Sequence, residues 1–456
     1  MNKVKLIAAI AVLLLCVING YGKAKSKIVV YPAPTGEELN QGYKVSVAEK
    51  NVQVYNTKIA ASDKAYRFKG IADIRHSDEY FEVAAFAYFD MQGSATVTVT
   101  VPQAITTVKI LPTSAHIKAT IQGHSVSFPV SSPNNLTIEI NGEWVRSLHL
   151  FINPIETNKP DPKDPNVIFF GPGIHEITHL DVGDNKTVYI AGGAVVRAVI
   201  GADEKYTVNK SDSVRNYSPS VYLHGHHITI CGRGILDASA CPTHARNLIM
   251  AHGVTGLKLE GIILRDASTW NVPIRQCDSV LVDNIKILGY RANTDGIDIC
   301  NSRNVIVQNC FLRTMDDLIV IKADKGQGDA QHILAKHCVL WNQLAHALSI
   351  GAELRDNVSD VTFTDCDIIH DKGREWSLRI YQCDAGLVNH VRFENIRIEE
   401  AQRFISLWIG KAVWSRDKDY GHIQDVTFKN ITANGNPLTV DLVGIDDQHT
   451  VKEVSF

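Results

Sequence analysis

Three carboxylates dominate the chemistry open to this chain. Asp316 and Asp317 are adjacent in Met315-Asp316-Asp317-Leu318, and Asp295 stands 21 residues upstream in Asn293-Thr294-Asp295-Gly296. Carboxylates brought together repel, so at least one tends to hold a proton near neutral pH. A protonated acid beside an ionised one is what hydrolysis of a glycosidic bond needs. Such a site requires a chain that returns to one place at about the interval separating these acids.

A short repeat supplies that return. Apolar residues alternate over three positions and end in Gly, Asn, His or Asp. Copies begin at Ile228, Leu257, Val280, Val305, Ile333, Val361, Val391, Val426 and Val454, at intervals of 29, 23, 25, 28, 28, 30, 35 and 28 residues. A fixed motif with variable spacers marks a solenoid. The motif is too short for a helix and rich in β-branched residues, so each copy predicts a strand. The residue after it tolerates the left-handed backbone of a sharp corner. The expected fold is a right-handed parallel β-helix with coils about 4.8 Å apart. Cys310, Cys338 and Cys366 each follow a corner residue, which predicts an inward stack of small apolar side chains.

A second strand precedes each copy: Gly296–Ile299, Leu318–Ile321, Ala347–Ile350 and Ser377–Ile380. Asp295, Asp316-Asp317 and His346 fall just before three of these, and Arg379 lies in the fourth. Singly each residue is commonplace: Asp-Gly is a frequent turn, and a lone His or Arg is ordinarily a surface group. Together, at one level of a solenoid, they line a single groove, and a solenoid face is a way to build a long binding cleft.

The front of the chain has another rhythm. Residues 27–155 alternate polar and apolar, as in Thr96–Val101, His116–Ile121 and Leu136–Ile140, with a hairpin signal at Asn141-Gly142. That pattern predicts a small antiparallel β-sandwich. Three prolines between Thr157 and Pro165 forbid regular pairing and read as a linker. The expected organisation is a signal peptide over 1–22, a sandwich over 23–156, a linker over 157–166 and the β-helix over 167–456.

The leader has Lys3 and Lys5, an apolar stretch from Leu6 to Val17, and small residues at Gly20 and Gly22. It predicts a secreted or periplasmic protein. Leu13-Leu14-Leu15-Cys16 raises a lipid-anchored alternative, disfavoured by the bulky Leu15 before the cysteine. The stretch is short for a membrane span. The net charge of −3 falls to −5 once Lys3 and Lys5 leave, which points away from nucleic acid. The other eight cysteines contain no Cys-x-x-Cys pair, so a zinc site is not expected, and hydrolysis by paired carboxylates calls for no metal or other cofactor. A monomer is expected.

Asn293-Thr294-Asp295, Asp316-Asp317, His346 with Ser349-Ile350-Gly351, and Arg379-Ile380 resemble, in order, the signature segments of glycoside hydrolase family 28, the polygalacturonases. The likeness spans about Asn247 to Glu400. The front is similar to family 49, the dextranase and isopullulanase group, in which a β-sandwich precedes the β-helix. There the joining segment resembles Val167–His175. The resemblance implies Asp316 as general acid and Asp295 and Asp317 as holders of the attacking water. It implies His346 as orienting group, Arg379 as a substrate ligand, and inversion at carbon. Two positions depart from the family pattern. Tyr381 stands where the family has a lysine suited to a uronate carboxylate, and Ala345 and Ala347 flank His346. Tyr381 offers a ring for a neutral sugar. Asn293, Trp270 and Arg275 join it as substrate-binding candidates. Trp341, Trp376, Trp408 and Glu353 are further candidates for the groove, and Glu375 reads as a turn charge.

The leading expectation is a secreted inverting glycoside hydrolase acting on α-bonds of a pectin-type or dextran-type polysaccharide or oligosaccharide. A polysaccharide lyase is the first alternative. It uses Ca²⁺ or a basic residue beside a uronate, and its unsaturated product absorbs ultraviolet light. A non-catalytic carbohydrate-binding β-helix is the second, and in it the acids are dispensable.

Overall fold

The computed structural model describes residues 26–60, 81–209, 213–371, 373, 375–435 and 438–456. The predicted leader lies outside them. Among the described residues no helix is long and apolar enough to cross a membrane.

Residues from Val167 onward wind as a right-handed parallel β-helix of three long sheets, with 11, 10 and 10 strands among the described residues. All nine copies of the repeat lie in the 11-stranded sheet, and their first residues face one another coil by coil. Ile228 pairs with Leu257, Leu257 with Val280, and so on to Val426 with Val454. The corner after each of the first eight copies has positive φ where the sequence placed it, as with 56° at Asn284, 57° at Asn309, 54° at His337 and 53° at Asp365. Asn430 donates to the Asn395 side chain of the preceding coil at 3.0 Å. The inward side chains form one continuous core that includes Cys310, Cys338 and Cys366, and all eight cysteines of the described chain are free thiols.

The front forms two sheets, of six and five strands, around an apolar core of alternating residues such as Val97, Val99, Leu136 and Ile138. Asn141 and Gly142 turn the predicted hairpin with φ of 54° and 78°, joining Asn134–Ile140 to Glu143–Pro154. Two details differ from the expectation. Of the run His116–Ile121 only the end is strand, Thr120–Gln122, because a 3-10 turn over Thr113–Ala115 occupies the approach. The central pair Phe81–Gln92 and Glu143–Pro154 runs parallel. Strands of the second sheet intervene between the two, giving the long crossover that parallel pairing requires.

The six-stranded sheet docks on the 10-stranded solenoid sheet that follows each corner. Tyr55, Phe86, Tyr88 and Phe151 pack there against Ile235, Ile263, Phe311 and Trp341. One solenoid face is thus covered by apolar surface. The third sheet, which carries the acids, is left to form a cleft.

Candidate active site

Backbone register brings the predicted residues together. The strands Ile297–Cys300, Ile319–Ala323, Leu348–Leu354 and Leu378–Gln382 are successive neighbours. The Gly296 amide donates to the Asp317 carbonyl at 2.8 Å, and the Leu318 amide to that of His346 at 2.9 Å. Asp295, Asp317 and His346 therefore stand in one row across three coils, with Asp316 one residue before it. An oxygen from each of Asp295, Asp316 and Asp317 lies within 4.8 Å of the others.

Gly296 makes this stacking possible for a reason other than a turn. A Cβ there would lie 2.4 Å from the Leu318 carbonyl oxygen and 2.4 Å from a Leu312 methyl. Gly296→Ala is expected to cost about 1–3 kcal/mol by overpacking and to shift Asp295. Unfolding midpoint and activity, measured together, should both fall.

His346 links the acids to Arg379. Its Nδ1 is 2.5 Å from Asp317 Oδ1, and its Nε2 is 2.9 Å from Arg379 Nη1. A guanidinium only donates, so Nε2 accepts and Nδ1–H donates to Asp317. Arg379 also donates to Glu375 at 2.8 Å. Its guanidinium lies 3.6 Å from the Tyr381 ring centroid. Asn293 Nδ2 is 3.4 Å from Asp316 Oδ2.

These contacts drive the proton affinities of the adjacent acids apart. Burial, with the charges of Asp295 and Asp317, pushes Asp316 well above the usual carboxylate range. Burial also pushes Asp317 upward, but the hydrogen bond from His346, with the Lys322 charge, holds it below that range. Asp295 is pushed up to about 6 by burial, with Lys322 pulling down and Asp317 pushing up. Opposite shifts on neighbouring carboxyls mark an acid and a base.

The trio opens into a cavity of about 260 Å³, lined also by Trp270, Asn293, Lys322, His346, Glu353, Glu375, Arg379, Tyr381 and Trp414. A larger one of about 500 Å³ lies between the sandwich and the solenoid and contains none of the trio. Several candidates fall elsewhere. Arg275 lines a neighbouring cavity with Asp324 and Arg355, 5.2 Å from the Trp270 ring centroid. Trp341 is fully buried beneath the sandwich, under the Arg313 guanidinium. Trp376 is sandwiched between Arg379 and Arg403, and Trp408 backs Tyr381 edge-on. Glu375 is an ion-pair partner on the cavity wall rather than a solvated turn charge.

Sequence reading missed Lys322, Asp298 and Trp414. Lys322 follows Ile319-Val320-Ile321, and Asp298 separates Ile297 from Ile299. A charge at the outward step of an apolar strand was the available signal. Trp414 lies between strands, outside any repeat, and carried none.

Comparison with known proteins bears on both units. Residues 214–454 match the family described as Glycosyl hydrolases family 28. A polygalacturonase of Juniperus ashei is 30% identical over 212 residues, covering 44% of this chain and 40% of that protein. The chain spans about two fifths of the length of the curated relatives it matches. Among solved structures, Dex49A from Penicillium minioluteum aligns over 93% of this chain and 96% of its own, with TM-score 0.60 and 14% identity. A Yersinia enterocolitica family 28 exopolygalacturonase aligns over 94% and 89%, with TM-score 0.54 and 15% identity. These two likenesses are of fold, and they extend over the sandwich as well as the solenoid.

Proposed function

We propose that this chain, which belongs to glycosyl hydrolases family 28, hydrolyses α-glycosidic bonds of a pectin-type polysaccharide with inversion at carbon. Asp316 protonates the leaving oxygen, and Asp295 with Asp317 holds and deprotonates the attacking water. His346 orients Asp317. Arg379 and the rings of Trp270 and Tyr381 hold the sugar. The observation that carries this reading is the opposed shift of Asp316 and Asp317, adjacent residues in one cavity. A pectin-type polymer is favoured over a dextran-type one because sequence relatives are named polygalacturonases, whereas the likeness to Dex49A is of fold. The basic, apolar leader supports action outside the cytoplasm.

The carboxyl spacing favours a second reading. Inverting sites with two carboxyls hold them roughly 6.5–9.5 Å apart to admit water, and retaining sites about 5–5.5 Å. The nearest oxygens here lie within 4.8 Å. The third carboxyl answers the discrepancy, because two acids grip the water while the other protonates. Proton NMR of fresh product decides it: a β-anomer is expected, and an initial α-anomer would replace inversion with a covalent intermediate. Product absorbing in the ultraviolet would replace hydrolysis with elimination.

Each cation of the cavity already faces carboxylates, Lys322 those of Asp295, Asp298 and Glu353 and Arg379 that of Glu375. Tyr381→Lys would add a further ammonium to the cavity wall. It is expected to tighten binding of a galacturonate oligomer by about 1 kcal/mol or less, read by calorimetry. A measured loss of uronate affinity would count against this account of Tyr381.

A further inference from the structure

Lys322 is a buried cation with no place in the reaction as described. Its side chain is 8% exposed. Its Nζ lies 3.3 Å from Asp295 Oδ2, 3.2 Å from Asp298 Oδ1 and 3.7 Å from Glu353 Oε2. The Trp270 ring covers it, with the centroid at 4.1 Å. Asp298 is itself fully buried, and its contact with a cation is the one to Lys322. A buried carboxyl is costly to ionise unless paired; burial and the Asp295 charge push Asp298 well above the usual carboxylate range, and Lys322 pulls it down.

Asp295 is arranged asymmetrically. Oδ2 contacts Lys322, while Oδ1 is buried without a hydrogen-bond partner. We propose that Lys322 is a positioning residue: anchored by Asp298 and Glu353, it clamps Asp295 by Oδ2 and so fixes that carboxyl beside Asp317, where the attacking water is gripped. The inference deepens the hydrolase reading and rests on it for the role of the water.

Electrostatics supports the geometry. The charged and titratable groups acting on Asp295 are Asp298 from its own coil and Asp316, Asp317 and Lys322 from the next, with His346 and Glu353 of the coil beyond lining the same cavity. Lys322 is the cation in direct contact, and it pulls Asp295 down toward its position at about 6. Without it, burial and Asp317 lose their main opponent, so the carboxyl would keep its proton to higher pH.

The test uses the full chain with Lys322→Met, Lys322→Arg and the double variant Lys322→Met/Asp298→Asn. Carbon-13 NMR titration of the aspartate carboxyls, with Asp295 assigned through Asp295→Asn, requires no substrate. Lys322→Met should move the Asp295 titration to higher pH, and Lys322→Arg should not. On active substrate, kcat/KM of Lys322→Met should fall about ten- to a hundredfold, mainly in kcat. The acidic limb of its profile should move the same way. The double variant should regain the thermal stability lost in Lys322→Met, because it removes the stranded carboxylate, yet keep the shifted limb. An Asp295 titration identical in wild type and Lys322→Met overturns the inference. A wild type that hydrolyses none of the polysaccharides offered overturns the hydrolase reading instead, with the clamp still judged by NMR.

Discussion

Asp316→Asn is expected to lower turnover by about a thousandfold or more while leaving the fold and substrate binding in place. Asn keeps the shape of the carboxyl and can still meet Asn293, but it has no proton to give to a departing sugar oxygen. Wild-type kcat/KM should rise with pH as Asp295, held at about 6, loses its proton. It should fall again where Asp316, held far above the usual range, loses its own. The three acids are close enough that these limbs belong to the group and not to single residues. In Asp316→Asn the alkaline limb should vanish from the residual rate. Stability should move in the opposite sense to activity. A carboxyl raised in the folded state keeps its proton after the unfolded chain has released it. The folded state is therefore penalised increasingly as pH rises above about 3.9. Asn removes that penalty, so the variant should melt at or above the wild-type temperature at pH 7, with the difference shrinking toward pH 4. Reducing-sugar release and melting curves on one preparation provide both readings. Full activity would sink the mechanism, and a large loss of stability would void the claim that the acid serves chemistry alone.

The solenoid was legible because its constraint is local and recurs. Each coil needs inward apolar residues at fixed steps and one residue able to turn left, and both needs leave a mark in the sequence. A second left-handed row escaped notice. His227, Ser279, Asn304, His332, Asp360, His390 and Asp425, each just before a copy of the motif, have φ between 51° and 60°. The same residue types serve there, but no alternation of apolar residues draws the eye to them. The row Asp295–Asp317–His346 was legible because the strands after them share a register. Lys322 and Asp298 were not, since their meaning depends on which outward side chains meet across coils. The docking of the sandwich was equally hidden. Trp341 reads from sequence as a candidate sugar platform, and only the packing of the six-stranded sheet shows that it is roofed.

That docking sets the second large effect, expected for Asp90→Ala. Asp90 is buried at the junction and receives Arg233 Nε on both oxygens, at 3.0 and 3.2 Å. It also accepts from the Tyr31 hydroxyl at 2.9 Å and the Glu156 amide at 3.2 Å. Arg233 is 4% exposed and donates besides to the Gly232 and Pro154 carbonyls, both at 3.0 Å. Removing the carboxylate leaves a buried guanidinium without its counter-charge. Breaking a buried pair from one side costs about 3–5 kcal/mol, whereas replacing both partners by apolar groups of similar volume is often near neutral. Asp90→Ala should therefore lower the guanidinium unfolding midpoint strongly, and Asp90→Leu/Arg233→Met should recover most of the loss. Turnover per folded molecule should stay unchanged in both, because the junction lies on the solenoid face away from the acids. A double variant as unstable as the single one would show that the pair itself, and not the stranded charge, holds the sandwich to the coils.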